Sequence, residues 1–117
     1  MMKILVCGGR HYQNHEFLDE TLDAISMELQ QVVCIIQGGA TGADSLARKW
    51  AEDRMLPVME FPANWHRLGK AAGPIRNEWM VEYGEPDLVV AFPGGRGTAN
   101  MVRLATEAAI AVRMIPR

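Results

Sequence analysis

The chain has 117 residues, of which 49% are hydrophobic and 22% charged, and these values are ordinary for one globular domain. A net charge of −2 argues against a basic nucleic-acid coat protein and against a membrane-surface binder. No apolar run approaches the ~18 residues of a membrane helix. We therefore expect a single domain over residues 1–117 without membrane association.

The two cysteines, Cys7 and Cys34, lie in short apolar runs, where a free cysteine behaves as a small hydrophobic residue. Such use of cysteine is typical of a reducing compartment, and we expect the protein to be cytoplasmic. The apolar run from Ile4 to Cys7 is too short for a signal-peptide core. His11 and His15 stand near Cys7, but no carboxylate clusters with them, so we predict no metal site.

Short apolar runs of the kind that form buried strands alternate along the chain with helical patterns. The predicted strands are residues 3–7, 32–36, 56–61, 87–92 and 111–116, and the predicted helices are residues 15–30, 43–55, 74–83 and 98–109. Asn14 suits the N-cap of the first helix and Gly84 the C-cap of the third. Residues 62–73 contain glycine and proline and predict a long irregular loop.

Strands and helices in alternation indicate a Rossmann-like three-layer α/β/α sandwich with a five-stranded, mainly parallel sheet. The last predicted helix, residues 98–109, is apolar nearly all round. Such a helix is buried either in the core or in an oligomer interface, and we expect a homo-oligomer, most simply a symmetric dimer.

Glycine-rich loops follow four of the predicted strands. They are Gly8-Gly9-Arg10, the GGATGAD run at residues 38–44, the GKAAGPIRN run at residues 69–77 and the PGGRGT run at residues 93–98. In open parallel sheets, ligands bind beyond the carboxyl ends of the strands. We therefore predict that these loops share one ligand site.

The PGGRGT run has the composition of an anion cradle. Gly94, Gly95 and Gly97 let backbone N–H groups approach an anion without a Cβ in the way. Arg96 adds a full charge, and Thr98 can cap the helix that follows, whose N-terminus favours anions. A tight turn without any ligand would use the same residues.

The GGATGAD run repeats this design, with Gly38, Gly39 and Gly42 beside the hydroxyl of Thr41. Asp44 can accept a hydrogen bond from a ribose hydroxyl, or it can simply complement the helix dipole. The run lacks the Lys-Ser/Thr pair of a P-loop and the spacing of a dinucleotide fingerprint.

The GKAAGPIRN run places Lys70 and Arg76 on either side of a helix start. Arg76 can point into the ligand site, or it can pair with Glu78 or Glu82 on the surface. The glycine-rich loop beside it favours the first arrangement.

Together these segments, CGGR, GGATGAD, GKAAGPIRN followed by Met80, and PGGRGTANM, resemble the YspA/YpsA-type branch of the SLOG superfamily. That superfamily joins the DNA-processing protein Smf/DprA to the "lonely guy" (LOG) cytokinin-activating phosphoribohydrolases. The resemblance covers nearly the whole chain. It implies a Rossmann-like domain that binds a nucleotide or related ligand at the strand ends, in many members as a sensor.

LOG enzymes cleave the bond between a base and ribose 5′-monophosphate, and their PGGxGTxxE loop ends in a glutamate that takes part in the reaction. Arg76 and Met80 match the second LOG motif, and residues 93–98 match the phosphate loop. The position of the glutamate is Met101, preceded by Asn100. Methionine cannot stabilise an oxocarbenium-like state, so the resemblance leaves open whether the protein is an enzyme.

The sequence thus predicts a protein that binds a nucleotide or a nucleotide-derived phosphate, with phosphate or sulfate as a simple occupant and no required cofactor. One alternative is a nucleotide N-glycosidase that uses Arg76 and a displaced carboxylate such as Asp44. Another is a single-stranded DNA-binding module like DprA, against which the net charge argues mildly. Trp65 and His66 can stack on a base or cover the sheet edge.

Overall fold

The computed structural model describes residues 2–117, and for Val33 the backbone alone. Its strands form one sheet in the order β3-β2-β1-β4-β5, and every pairing is parallel. The strands are β1 (Met2–Cys7), β2 (Val32–Gln37), β3 (Val58–Glu60), β4 (Leu88–Ala91) and β5 (Ala111–Met114). The predicted five-stranded parallel sheet is therefore confirmed.

Five α-helices connect or follow the strands. They are α1 (His15–Leu29), α2 (Ala43–Asp53), α3 (Trp65–Leu68), α4 (Ala72–Gly84) and α5 (Arg96–Glu107), with a 3₁₀ turn, Gly69–Ala71, between α3 and α4. Asn14 caps α1 as predicted, because its side-chain oxygen accepts a hydrogen bond from the amide of Phe17 at 3.2 Å. None of these helices has the length and apolarity needed to cross a membrane.

The core has two halves, one on each face of the sheet, because successive strand residues point to opposite faces. On one face Ile4 and Val6 pack with the buried sides of α1 and α2, including Leu22 and Trp50. On the other face Leu5, Cys7 and Val89 pack with Met80 of α4 and with Met101 and Ala105 of α5. This is the predicted three-layer α/β/α sandwich.

The strand order positions the loops that matter for function. The chain runs outward from β1 to β2 and β3, then returns to place β4 on the other side of β1. In open parallel sheets such a reversal opens a crevice at the carboxyl ends of the two central strands. The loops after β1 and β4, which hold Gly8-Gly9-Arg10 and residues 93–98, flank this crevice.

The prediction of an irregular loop over residues 62–73 was wrong. Residues 65–68 form α3, whose first turn is closed by Asn64, since the Asn64 side chain accepts a hydrogen bond from the amide of Arg67 at 3.1 Å. The 3₁₀ turn follows, and α4 already begins at Ala72 rather than at Pro74.

Gly84 is not the C-cap of α4 but its last helical residue, and Glu85 takes the left-handed conformation with φ 50°. The reason for a glycine here is packing, because a Cβ at Gly84 would lie 3.1 Å from Cδ1 of Ile36. Gly84 therefore allows α4 to lie close to β2.

Helix α5 is not buried all round, although its sequence is largely apolar. Thr98, Met101 and Ala105 form the buried face at spacings of three and four residues, whereas Arg103 and Glu107 are exposed and pair with each other at 3.1 Å. The helix also ends at Glu107, before the alanines that contributed to the apolar count. Because α5 is not wholly apolar, it no longer supports the expected homodimer. The homodimer stays a prediction, and light scattering of the intact chain tests it.

Candidate ligand-binding site

A cleft of about 860 Å³ lies at the carboxyl ends of the central strands. Residues from the loops after β1 and β4, from α4 and from α3 line it. Of the residues predicted from sequence, the lining includes Gly8, Gly9, Arg10, Asp44, Lys70, Arg76, Gly94, Gly95, Arg96, Gly97 and Thr98. Its volume lies within the range of about 300–1,000 Å³ that is usual for small-molecule sites.

The N-terminus of α5 forms one wall of the cleft. Gly95 is the N-cap, and its carbonyl accepts the first helical hydrogen bond from Ala99 at 3.1 Å. The amides of Arg96 and Gly97 belong to the first turn, where an α-helix offers its N–H groups no internal acceptor. These donors, together with the positive end of the helix dipole, make this wall suitable for an anion.

Gly97 has no structural reason to be glycine, whereas Gly95 is the helix N-cap, with φ −102° and ψ −139°. A Cβ on Gly95 or Gly97 would meet no atom within 4 Å, and neither residue has a positive φ. Both residues line the cleft. The missing side chains therefore leave open space at the edge of the cleft.

Other glycines of the predicted site are explained by packing. A Cβ on Gly8 would lie 2.7 Å from Cβ of Ala43, and a Cβ on Gly94 would collide with Oγ1 of Thr98. The prediction that Thr98 caps the helix was wrong. Helix α5 starts two residues earlier, and the Thr98 side chain is buried beneath Gly94. Gly8 and Gly94 bring the loops together, and the ligand space lies beyond them.

Most of the GGATGAD run does not line the cleft. Of the residues predicted there, Gly38, Gly39, Thr41 and Gly42 are absent from the lining of the cleft. Thr41 donates its hydroxyl hydrogen to the carbonyl of Arg10 at 3.0 Å, and a Cβ on Gly42 would collide with the carbonyl of Gly9. These residues hold the loop after β2 against the loop after β1.

Gly38 and Gly39 also have local reasons to be glycine. A Cβ on Gly38 would collide with the guanidinium of Arg76, and Gly39 has φ +74°, which residues other than glycine rarely adopt. Gly39 and Thr41 instead line a second, smaller cavity of about 200 Å³, together with Arg48 and Glu60.

Asp44 lies at the bottom of the cleft, in the first turn of α2, and only 7% of its surface is exposed. Its Oδ2 atom accepts hydrogen bonds from the amides of Gly38 and Ala40, both at 3.2 Å. Burial raises the pKa of this carboxyl from 3.8 to about 6, although the two amides and the guanidinium of Arg76 act in the opposite direction. Asp44 therefore orders the loop after β2.

Arg76 points into the cleft and does not pair with Glu78 or Glu82. Its Nη1 donates to the carbonyl of Gly38 at 2.6 Å, and its Nε donates to Oδ1 of Asn77 at 3.0 Å. Burial lowers the pKa of the guanidinium, and the nearby carboxylate of Asp44 partly offsets this. An arginine has so high a pKa that it stays charged all the same.

Asn77 is a site residue that the sequence reasoning missed. It is 3% exposed, and its Nδ2 donates to the carbonyl of Gly97 at 3.1 Å and to Oδ1 of Asn100 at 2.9 Å. Since it also accepts from Arg76, it joins the arginine of α4 to the first turn of α5. A signal existed, because Asn77 directly follows Arg76 in the GKAAGPIRN run.

At the position that aligns with the LOG glutamate, Met101 does not face the cleft, whereas its neighbour Asn100 does. Asn100 lines the cleft one turn after Gly97, whereas Met101 is fully buried among Leu5, Met80 and other residues beneath the sheet. The position that aligns with the LOG glutamate is therefore part of the core in this protein. At this point of the helix, the polar group that faces the cleft is therefore an amide rather than a carboxylate.

Aromatic side chains stand at the mouth of the cleft. Trp65 lines it and is 44% exposed, and the guanidinium of Arg10 lies over its ring at 4.8 Å from the centroid. Tyr12 also lines the cleft, but its hydroxyl donates to the carbonyl of Arg117 at 2.9 Å. His66, which the sequence offered with Trp65 as a residue that can stack on a base, is not part of the lining.

The cleft carries an excess of positive charge. Arg10, Lys70, Arg76 and Arg96 line it, and Asp44 is the one acidic side chain in the lining as far as residues 2–117 show. Burial also raises the pKa of the Cys7 thiol to about 12, so this thiol is neutral at physiological pH. A ligand that suits this cleft carries negative charge.

Comparison with known proteins identifies the family of this chain. The sequence matches the YspA, cpYpsA-related SLOG family over residues 2–68. The chain belongs to this family. It is also 34% identical to the Gene 61 protein of Mycobacterium phage D29, over 122 residues that cover 96% of this chain and 94% of the phage protein.

The fold has a counterpart among solved structures. Glycinamide ribonucleotide transformylase 1 from Symbiobacterium toebii superposes with a TM-score of 0.51 and 17% sequence identity. The match covers 89% of this SLOG protein and 47% of the transformylase, so the chain spans about half the length of that enzyme. At this identity the likeness concerns the Rossmann-like fold alone.

Proposed function

We propose that this SLOG protein binds a nucleotide, or a nucleotide-derived phosphate compound, with a phosphate group at the N-terminus of α5. The observation that carries the proposal is Gly97, which lines the cleft and is glycine for no reason of packing and without a positive φ. A phosphate needs such space, because its oxygens must come within hydrogen-bond distance of the backbone amides.

The charges around this turn support the same ligand class. Arg96 is the first residue of α5 and Lys70 lies across the cleft on the 3₁₀ turn, and both are exposed to solvent. Arg76 is held by hydrogen bonds to Gly38 and Asn77, so it presents a fixed charge to a bound anion. A cleft of about 860 Å³ has room for a sugar and a base beside the phosphate.

The first experiment is a titration of the intact protein with AMP, ribose 5-phosphate and ADP-ribose, followed by calorimetry and by the shift in melting temperature. A ligand that binds the folded state must raise the melting temperature. Replacing Arg96 with Gln should weaken AMP binding at least about tenfold, because a charge-assisted hydrogen bond to phosphate is lost.

A matched control lies on the same helix. Arg103 is exposed and pairs with Glu107 outside the cleft, so Arg103→Gln should leave the affinity for AMP unchanged. If no phosphate compound shifts the melting temperature at millimolar concentration, or if both variants lose affinity equally, the proposed site is wrong.

A second candidate function is cleavage of the bond between the base and the ribose. It is favoured by the position of Asp44, a carboxyl inside the cleft with a pKa raised to about 6 by burial. A carboxylate can stabilise the oxocarbenium-like transition state of such a reaction. Release of free base from nucleoside monophosphates, abolished by Asp44→Asn, would support this function, whereas unchanged release in that variant would remove Asp44 from it.

A further inference from the structure

The aromatic residue at the mouth of the cleft bears on which part of a ligand the protein recognises. We infer that Trp65 is the platform on which the base of the bound nucleotide stacks, and that Arg10 covers this platform until the ligand arrives. This inference rests on the proposed function, since it assigns the base end of the same site.

The position of the Trp65 ring is fixed by the elements around it. Asn64 caps α3 by accepting a hydrogen bond from the amide of Arg67, so the short helix that carries Trp65 has a defined start. The ring lies against Gly73 of α4, where a Cβ would stand only 3.1 Å from Cη2 of the indole. Gly73 has no positive φ, so the close approach of the ring accounts for the glycine.

Trp65 also has an exposed ring surface on which another flat group can stack. It lines the cleft and remains 44% exposed. Tyr12, the one other Phe, Tyr or Trp residue in the described lining, packs against Phe92 at a centroid distance of 5.3 Å, and its hydroxyl is held by Arg117. Tyr12 is therefore part of the wall, whereas the indole can receive a second flat group.

Arg10 connects the two ends of the site. The preceding residue, Gly9, donates its amide to the carbonyl of Pro93 at 2.9 Å, so the backbone at Arg10 is fastened beside the phosphate loop. Its guanidinium nevertheless reaches over to Trp65 at 4.8 Å from the ring centroid, and the side chain is exposed. A cation–π contact of this kind is weak in water, and a stacked base can replace it.

A nucleotide offers both groups that this arrangement requires. Its base can take the place of the guanidinium on the indole, while the freed Arg10 turns to the phosphate beside which its backbone is anchored. Ribose 5-phosphate offers only the second group. The site should therefore distinguish a nucleotide from the sugar phosphate that it contains, and stacking should accept any of the bases.

The test measures the affinity of the intact protein for ribose 5-phosphate and for AMP, GMP, CMP and UMP by calorimetry. The best-bound nucleotide should bind at least about tenfold more tightly than ribose 5-phosphate. Trp65→Ala should remove this preference and leave ribose 5-phosphate binding as it was, while Trp65→Phe should keep most of it.

Trp79 supplies the matched control, because it is 45% exposed on α4 and is not part of the cleft lining. Trp79→Ala should keep the full preference for the nucleotide. Unaltered binding of ribose 5-phosphate to Trp65→Ala also shows that this variant is folded.

The outcomes separate this inference from the function on which it rests. A full nucleotide preference in Trp65→Ala would overturn the base platform while leaving the phosphate site intact. No binding of either compound to the unaltered protein would overturn the proposed function and this inference with it.

Discussion

The glycines near the cleft are glycine for different reasons, some for packing and some for ligand space, and substitutions distinguish these reasons. Gly97 lies in the first turn of α5 with open space around it, so Gly97→Ala adds a methyl group that meets no protein atom. We expect the free energy of unfolding to stay unchanged or to rise by about 0.5–1 kcal/mol, because alanine suits a helix better than glycine does. The affinity for AMP should fall at least about tenfold, since the methyl group occupies the phosphate space.

Gly8 is the contrasting position for this prediction. A Cβ there would lie 2.7 Å from Cβ of Ala43 and 3.0 Å from Cβ of Phe92. Gly8→Ala should therefore lower the free energy of unfolding by about 1–3 kcal/mol, as overpacking does. Denaturant unfolding of both variants checks this, and a Gly97→Ala protein that binds AMP normally would contradict the proposed position of the phosphate.

The raised pKa of Asp44 predicts that stability depends on pH. The folded-state pKa of about 6 lies above the ordinary value of 3.8, so between these pH values the folded protein binds more protons than the unfolded chain. The contribution of Asp44 to the free energy of unfolding is therefore lost as pH rises from about 4 to about 7. Two pKa units correspond to about 3 kcal/mol.

The variant Asp44→Asn isolates this contribution because it does not titrate. Between pH 4 and pH 7, the unaltered protein should lose about 3 kcal/mol of unfolding free energy relative to Asp44→Asn. Denaturant unfolding at both pH values measures it. Parallel pH profiles would mean that Asp44 is ionised in the fold as readily as in the unfolded chain.

Among the elements, the strands and the longer helices could be predicted because their hydrophobic residues form continuous runs or recur with a regular period in the sequence. Buried strands such as Leu88–Ala91 are continuous apolar runs, and α1 shows Leu18, Leu22 and Ile25 on one face. The short helix at residues 65–68 was not predicted, because one helical turn is too short to show a hydrophobic period, although Asn64 is a residue type that favours the N-cap. The predicted end of α5, residue 109, lies two residues too far along the chain, because alanine counts as apolar even where it is exposed, as at Ala108 and Ala109.

The short helix α3 gives a prediction of its own. Asn64→Ala removes the acceptor for the amide of Arg67 and should cost about 1 kcal/mol of stability. Because α3 carries Trp65, the affinity for AMP should fall as well, while binding of ribose 5-phosphate should not. Asn14→Ala removes the equivalent cap of α1, so it should lower stability to a similar extent without any effect on AMP.

The whole molecule explains why the site was only partly predictable. Parallel strands bring their carboxyl ends to one edge, so the meeting of the loops followed from the order of strands and helices. Which residues of each loop face the ligand depends on contacts between loops, and these have no period in the sequence. Thr41 and Gly42 were therefore assigned to the ligand although they pack on the loop of Gly9 and Arg10.

Charge is also distributed at this scale, and it bears on the choice between a small ligand and a nucleic acid. Several arginines outside the cleft are neutralised by ion pairs, Arg54 with Asp23 at 2.7 Å and Arg113 with Glu28 at 2.7 Å. Four cations, Arg10, Lys70, Arg76 and Arg96, line the cleft of a chain with net charge −2. A single-stranded nucleic acid needs a cationic path along its backbone, so a patch of this size suits one nucleotide.

We therefore expect AMP binding to weaken moderately with salt, and a single-stranded oligonucleotide to bind no more tightly than AMP at the same ionic strength. Oligonucleotide binding that depends on many phosphate contacts would instead fall steeply and linearly in a plot of log affinity against log salt concentration. Fluorescence anisotropy of a labelled oligonucleotide, with AMP as the competitor, distinguishes the two cases. Tight oligonucleotide binding that AMP cannot displace would place a nucleic-acid surface outside the cleft and would favour a DNA-binding module over a nucleotide receptor.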